Sequence, residues 1–511
     1  MLPDLVIGLD SSTTATKAIA WDRRGVAVAE GRAAVPLSNP QPGWFEQDVE
    51  DWWGAAAKAL KQVTRKIPAS RIAAVAISNQ RESFAQFDAK DRPLRPGTLW
   101  LDERSGTEAR EMAESVGAAE LHRISGKPSD VTPCIARCRW FAKNMGPLWR
   151  KTAMTAEVHG ELTHRLTGQW VTSTASADPM GLIDMAAYDW SDRLIAEVGL
   201  SRARLPTLKR PGEIMGEVSA AAAKATGLRA GTPVVAGGGD GQCAGTGANI
   251  FTPGRAYLNL GTAAVSGSYG RAYAHDPVFR TMGAVAEEGY TYETAIRTGT
   301  FLVNWVVETL FNADPAKSPG IFASLEQEAA ASPIGSNGVA LVPYWSGVMT
   351  PYWDTKARGL IAGLSASHVR GDLYRAILEG VALEQAMMTA GVAKATAPIT
   401  HFVVMGGGAK SDLWCQITAD ACGLDVKRLD TVEASSLGAA CAAAKGAGWF
   451  KSVPQAAAAM AGKPRKIFRP RTKPHARYQE LLAIYRDLWP TVSAWNTRLA
   501  DFTQRGSRGQ D

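Results

Sequence analysis

Two stretches lying half a chain apart share one pattern, and that repeat limits the fold more than any other feature of the sequence. In the first, "LVIGLDSSTTATKAIAW", an apolar run from Leu5 to Leu9 reaches Asp10 and gives way to five hydroxyl side chains within the six residues Ser11 to Thr16. It then passes Lys17 and turns apolar again at Ala18. The second, "RAYLNLGTAAVSGSYG", reads as strand, hydroxyl-bearing turn and strand in a reduced form. Each is the pattern of two β-strands joined by a polar turn, and its recurrence points to an internal duplication.

The chain has 511 residues, and a single hydrophobic core stops growing at roughly 250–300 residues. Two domains are therefore expected, 1–248 and 249–511, with the boundary near residues 245–255. Strand-like runs at Leu5–Leu9, Ile72–Ile77 and Pro233–Ala236 alternate with helical ones such as "VEDWWGAAAKALKQVTRKI", in which Trp52, Ala56, Leu60 and Val63 recur at helical spacing. The later half adds a helix at "DLYRAILEGVALEQAMM", a buried strand at His401–Met405 and a small-residue helix at "SSLGAACAAAKG" suited to close packing on a sheet. This is the grammar of an α/β protein. The tail "TQRGSRGQD" is expected to fray.

Composition removes several classes of function. With 46% hydrophobic and 21% charged residues the chain is an ordinary globular one. Its formal net charge of +7 is not gathered into a run that would track a nucleic acid, and the most basic stretch, Lys463 to Arg477, is broken by prolines and reads as a solvated connector. Most of the 16 tryptophans sit singly in periodic apolar runs and read as core. No apolar run reaches the ~18 residues of a membrane span, no signal-peptide pattern opens the chain, and the six cysteines form no CxxC pair. A cytoplasmic protein without disulfides, nucleic acid or membrane is expected. "HGELTH" is not a zinc helix, because His159 and His164 are five apart rather than four, and His401 reads as a strand-end histidine.

The polar interruptions carry the chemistry. A tight turn exposes backbone N–H groups that, with Ser and Thr hydroxyls, can circle a phosphate, and Lys17 adds a compact cation. Burying Asp10 at a strand end is costly unless a metal or donor compensates. In "VVAGGGDGQCAGTG" a strand runs into three glycines and then Asp240, an acid placed to accept a proton from a bound hydroxyl. In "VVMGGGAKSDLW" a strand ends in glycines followed by a helix, which suits a nucleotide. Neither GxGxxG nor GxxxxGK[ST] occurs. Glycine and hydroxyl loops in both halves suggest a nucleotide held between two domains.

Eight motifs in order, "GLDSSTTATK", "SNQRE", "WLDER", "GGGDGQ", "NLGT", "TPYWDTKARG", "GGGAKSDLW" and "EASSLGAA", make the stretch from about Leu5 to about Phe450 similar to the FGGY family of carbohydrate kinases. The resemblance implies two ribonuclease-H-like domains of the actin type with a cleft between them, holding ATP and Mg2+. It implies that Thr13, Thr14 and Lys17 hold ATP phosphates, with Gly261 and Thr262 as the second phosphate loop. Gly299, Gly407, Gly408, Ala409 and Asp412 would line the adenosine side. Asp10 would face the magnesium ion through water, Asp240 would serve as base and metal neighbour, and Arg81, Glu82, Trp100, Asp240 and Gln242 would bind the acceptor.

That acceptor is expected to be a small sugar or polyol. Arg81–Glu82 and "PYWDTKARG" resemble the glycerol-phosphorylating branch, but "DVTPCIARCRW" lacks its tyrosine and Gly241 is inserted between acid and amide. The xylulose-phosphorylating branch carries Met-His in place of Arg81–Glu82 yet shares "GGGD", "NLGT" and "GGGAKS". A ketopentose such as D-xylulose is the leading expectation, and a glycerol- or erythritol-type polyol the alternative. A more distant one is an actin-like ATPase or sensor that phosphorylates no sugar. The assembly is left open, with a homodimer among the options.

Overall fold

In the computed structural model, which describes residues 3–429 and 433–507, the duplication takes the form of two sheets that share a six-strand order, to which the second adds one edge strand. The first comprises β1 (Leu5–Ser11), β2 (Ala15–Trp21), β3 (Ala27–Ala34), β4 (Ile72–Asn79), β5 (Ile214–Glu217) and β6 (Pro233–Gly239), arranged β5-β6-β4-β1-β2-β3. β1 to β3 form an antiparallel meander, and β4 and β6 continue parallel to β1. The second comprises β7 (Arg255–Leu260), β8 (Ala264–Gly270), β9 (Arg280–Gly283), β10 (Tyr290–Ile296), β11 (His401–Met405), β12 (Asp425–Leu429) and β13 (Pro464–Phe468), arranged β9-β10-β8-β7-β11-β12-β13. Here β7, β8 and β10 make the meander, and β11 and β12 run parallel to β7. Each half is thus an antiparallel meander extended by two parallel strands and closed by an antiparallel edge, β5 or β13. This is the ribonuclease-H-like architecture that the family resemblance implies, and it contains the internal duplication to which the repeated hairpins point.

Strands run two to three residues past the apolar runs at their C-terminal ends, so the polar residues Asp10, Ser78 and Asn79 are still paired in the sheet. Both faces of the first sheet are covered, as its parallel strands require. One face carries α1 (Val49–Thr64), capped by Asp48 through the Glu50 N–H, which buries Trp52, Ala55, Ala56, Ala59, Leu60 and Val63. The remaining helices that matter here are α2 (Asp240–Gly247), α3 (Arg370–Ala395), α4 (Asp412–Cys422), α5 (Ala434–Gly446) and α6 (Val453–Met460).

The other face of the first sheet is covered by late sequence. Residues of α5 and α6, including Leu437, Ala440, Val453 and Met460, share one apolar cluster with Val6, Ile19, Ala74, Ala76 and Val235. The small residues of α5 explain how it fits, since a Cβ on Gly438 would stand 1.8 Å from the Cys243 carbonyl oxygen of α2. Trp21 Nε1 donates to Ser436 Oγ, which donates to the Gly8 carbonyl, fastening helix to sheet.

The stretch from Lys463 to Arg477 is not a connector. Pro464–Phe468 forms edge strand β13, where proline's missing N–H can face outward, and Thr472–Tyr485 is a helix. At the end of the chain a helix runs from Leu488 to Ser507, and the final residues of "TQRGSRGQD" lie outside the described ones. The six cysteines are all free thiols. Among the described residues no helix is long and apolar enough to cross a membrane.

A third body of residues, inserted in the first half after β4, has its own core of Phe84, Met112, Leu121, Phe141, Trp149 and Met180. That core is shared with Phe279, Tyr290 and Tyr292 of the second half. The contact carries β9 and β10 to the C-terminal end of β4, and so builds one wall of the site.

Candidate active site

The C-terminal ends of parallel strands are where α/β sheets leave a crevice, and three such ends meet here. β1 delivers Asp10, β4 delivers Ser78 and the residues after it, and β6 runs into α2 with Asp240 as the first helical residue. Asp10 pairs with Ser78 in register, and Ser78 Oγ donates to Asp10 Oδ1 at 2.7 Å. Burial pushes the Asp10 carboxyl up to about 7, and the negative charges of Asp240 and Glu433 push in the same direction against Ser78 and Lys17. An acid this under-compensated is a place for a cation.

Asp240 is the open end of a sealed ionic chain. Arg81 Nε donates to Asp240 Oδ1 at 3.0 Å and the Gly241 N–H donates to the same oxygen at 2.7 Å. Oδ1 is thereby occupied, and Oδ2 faces outward without a protein donor among the described residues. The Asp240 side chain is 40% exposed while that of Arg81 is 10% exposed, so the pair opens to solvent on the carboxylate side. Behind it, Arg81 Nη1 donates to both oxygens of Glu293 at 3.0 and 2.8 Å. Arg280 donates to Glu293 and to Glu82, each at 2.7 Å. Tyr257 adds a hydroxyl to Glu293 at 2.9 Å. Burial would raise the Glu293 carboxyl, but the two guanidinium groups outweigh it and hold it down to about 2. At Glu82 burial wins, and its carboxyl lies above the usual range despite Arg280 and Arg81.

Gly241 now has a physical reason. A Cβ there would stand 2.8 Å from Glu293 Oε2 and 2.9 Å from Arg81 Nη2, so any other residue would displace the Glu293 and Arg81 side chains from the positions described. Its insertion also redirects Gln242. Two residues along a helix turn by about 200°, and Gln242 is fully buried, its amide donating to the Ala175 carbonyl at 2.8 Å and to Asp178 at 3.1 Å. The structure therefore does not bring Gln242 beside the Asp240 carboxylate. It joins Asp178 to Lys127 instead, a pair 2.8 Å apart that the Thr281 carbonyl and Gly283 N–H of the second half complete. Glu82 Oε1 is held by Arg280, and among the described residues Oε2 has no protein donor.

Opposite lies the turn after β1. Thr14 is exposed at its tip, and Thr13 Oγ1 accepts from Trp100 Nε1 at 2.9 Å, which sets the 40% exposed Trp100 ring over the turn. Lys17 Nζ donates to both oxygens of Glu433 at 2.7 Å, a cation from β2 tied to the start of α5. In the second half Gly261 and Thr262 form the β7–β8 turn, and both carbonyls accept from the Gly299 segment: the Gly299 N–H reaches Thr262 at 2.6 Å and the Thr300 N–H reaches Gly261 at 2.7 Å. Gly407 is exposed while Gly408 and Ala409 are buried in the turn between β11 and α4. Asp412 is tied to Arg428 and Lys466, and these bonds hold its carboxyl below the usual range.

Among the described residues no three His, Cys, Asp or Glu side chains are grouped to hold a metal. The donor set nevertheless suits magnesium, which keeps several waters and needs only one or two carboxylates beside substrate phosphates. Two carboxylates stand at the crevice, Asp10, a part-buried acid answered by a single hydroxyl, and Asp240.

Reasoning from sequence missed Ser78, Tyr257, Arg280, Glu293 and the Lys127–Asp178 pair. The signal available was a lone charge in an apolar strand: Glu293 lies in "YTYETAI", every residue of which is buried.

Residues 5–247 match the N-terminal domain and residues 243–447 the C-terminal domain of the FGGY family of carbohydrate kinases. The chain belongs to that family and is an ATP-dependent carbohydrate kinase. It is 27% identical over 508 residues to the xylulose kinase of Staphylococcus epidermidis, covering 98% of this chain and 100% of that enzyme. It is 29% identical over 497 residues to the glycerol kinase of Acidovorax sp. (strain JS42), covering 94% and 97%. Among solved structures, the xylulose kinase of Rhodospirillum rubrum aligns with a TM-score of 0.89 at 27% identity, covering 96% of this chain and 99% of that one. The more distant expectation, an actin-like ATPase or sensor that phosphorylates no sugar, is set aside by this membership.

Proposed function

We propose that this kinase transfers the terminal phosphoryl group of ATP to a terminal hydroxyl of a small uncharged sugar or polyol, with Asp240 as general base. The observation that carries the reading is the asymmetry at Asp240: Oδ1 is held by Arg81 and the Gly241 N–H, and Oδ2 alone is open. The acceptor hydroxyl donates to Oδ2 and loses its proton there as it attacks the γ-phosphorus. Arg81 stops the carboxylate from rotating, and little more is needed, because phosphoryl transfer asks chiefly for alignment and charge neutralisation.

On the nucleotide side, the hydroxyls and N–H groups around Thr13 and Thr14 and the turn at Gly261–Thr262 surround the phosphates, with Lys17 as the cation released from Glu433. Gly299, Gly407, Gly408, Ala409 and Asp412 line the adenosine side. Asp10 and Asp240 would hold magnesium, which when bound neutralises phosphate charge. The two bodies meet near residue 248, with α5 and α6 lying on the sheet of the first, and closure between them would exclude water as a competing acceptor.

D-xylulose is the proposed acceptor, supported by the full-length similarity to xylulose kinases. A glycerol- or erythritol-type polyol is the second reading, favoured by the Arg81–Glu82 pair. A panel of ketoses and polyols with ADP release as readout, and mass and carbon assignment of the product, decides between them. Phosphorylated ketopentose supports the first, phosphorylated polyol alone the second, and nucleotide hydrolysis indifferent to every acceptor refutes both.

A further inference from the structure

The network behind Asp240 crosses between the two halves of the molecule, and this gives it a role beyond scaffolding. Glu293 and Arg280 face each other across the antiparallel pair β9–β10 of the second half. Their partners Arg81 and Glu82 follow β4 of the first half, 212 and 198 positions away in the chain. The side chains of Glu293, Glu82 and Arg280 are 0%, 4% and 7% exposed. In this sealed set two guanidinium groups face three carboxyl groups, those of Glu82, Glu293 and Asp240. No parallel pair of N–H donors is left free: Arg81 spends Nε on Asp240 and Nη1 on Glu293, leaving Nη2 alone, and Arg280 spends itself on Glu293 and Glu82. Lys127 is spent on Asp178, and Lys17, paired here with Glu433, is taken by the nucleotide phosphates in the reading above.

We infer that Glu293 and Arg280 are positioning residues contributed by the second half, which fix Arg81 against the base and, by consuming both guanidinium charges, restrict the acceptor to uncharged polyhydroxyl compounds and reject sugar acids. Bidentate carboxylate recognition needs a free guanidinium fork, and none is free here. A carboxylate arriving near Asp240 would meet like charge in a partly desolvated site, where rejection is strong. Glu293 matters through its charge, because Tyr257 and two cations converge on it. Its loss would leave Arg81 with Asp240 as its one ion-pair partner and with Nη1 free to donate to an incoming anion.

This inference rests on the sugar kinase reading above, and its test separates the two. The full-length protein is assayed by ADP release with the best neutral acceptor of the panel and with the aldonate of the same carbon number, while calorimetric ADP binding monitors the nucleotide side. The parent should favour the neutral acceptor by more than about tenfold in kcat/KM, the scale of one displaced charge contact. Glu293→Gln, which keeps shape and loses charge, should bind ADP normally, lose at least roughly thirtyfold in kcat, and narrow the neutral-to-aldonate ratio about tenfold or more. Glu293→Asp, which keeps charge, should retain the parent's ratio and turn over faster than Glu293→Gln. A parent ratio below tenfold, an unchanged ratio in Glu293→Gln, or a Glu293→Asp no better than Glu293→Gln would overturn the inference. The parent ratio decides alone if Glu293→Gln does not fold. A parent inert toward every neutral acceptor would instead refute the proposed function itself.

Discussion

Asp10 is held in a state that the fold dislikes, and replacing it with asparagine should make the unliganded protein more stable. Its carboxyl ordinarily titrates near 3.8 and is pushed up to about 7, first by burial and then by Asp240 and Glu433. At about 1.4 kcal/mol per pH unit of separation, ionised Asp10 costs the folded state about 4 kcal/mol relative to the unfolded chain. The residue is only part-buried beside the crevice, so solvent screening reduces this to about 2 kcal/mol. The sign follows from a folded value above the unfolded one. The stabilising contribution of the protonated acid is complete below pH 3.8 and is lost as pH rises through about 7.

Asp10→Asn mimics the protonated form at every pH. At pH 8 it should raise the melting temperature of the first half by about 4 °C, and the gain should shrink steadily on titration toward pH 5. The assay is scanning fluorimetry of both proteins across that range, repeated with Mg2+ and ATP, where the order should reverse because only the parent gains from the ligand. A variant no more stable at pH 8, or a gain that does not depend on pH, would refute the reasoning.

Two further perturbations test how the halves are joined. Lys127→Met strands the fully buried Asp178, a single-partner loss of about 3–5 kcal/mol. Urea unfolding should show it, and adding Asp178→Asn should recover part of the loss; no recovery would mean that the lysine stem and not its charge is needed. Gly438→Ala places a Cβ 1.8 Å from the Cys243 carbonyl, so α5 must shift from α2 at a cost of about 3 kcal/mol. Unchanged stability would show that the α2–α5 contact is looser than described.

Much of the fold and some of the site could be read from residues alone, for a definable reason. Asp10, Lys17 and Asp240 stand out because each interrupts an apolar strand or a glycine run, where an unpaired charge has no structural use. The two hairpins were legible for the same reason, and so was the small-residue helix that packs on the sheet as α5. What stayed hidden depends on partners remote in sequence. Glu293 sits in an apolar strand and acquires meaning only when Arg81 arrives from the other half. Gln242 is next to the acid but one residue too far along the helix, and the rotation that buries it is invisible without the network that demands Gly241. The basic run after Lys463 has a charge pattern that suggested solvent, whereas its pairing with β12 and the bond from Lys466 to Asp412 make it an edge strand.

The most direct measurement of the central claim is single-turnover phosphorylation by Asp240→Asn at saturating nucleotide and acceptor. The account predicts that ADP and ATP bind as in the parent while phosphoryl transfer slows by at least about a hundredfold, because the hydroxyl loses the carboxylate oxygen that takes its proton. Transfer at the parent's rate with normal binding would contradict it.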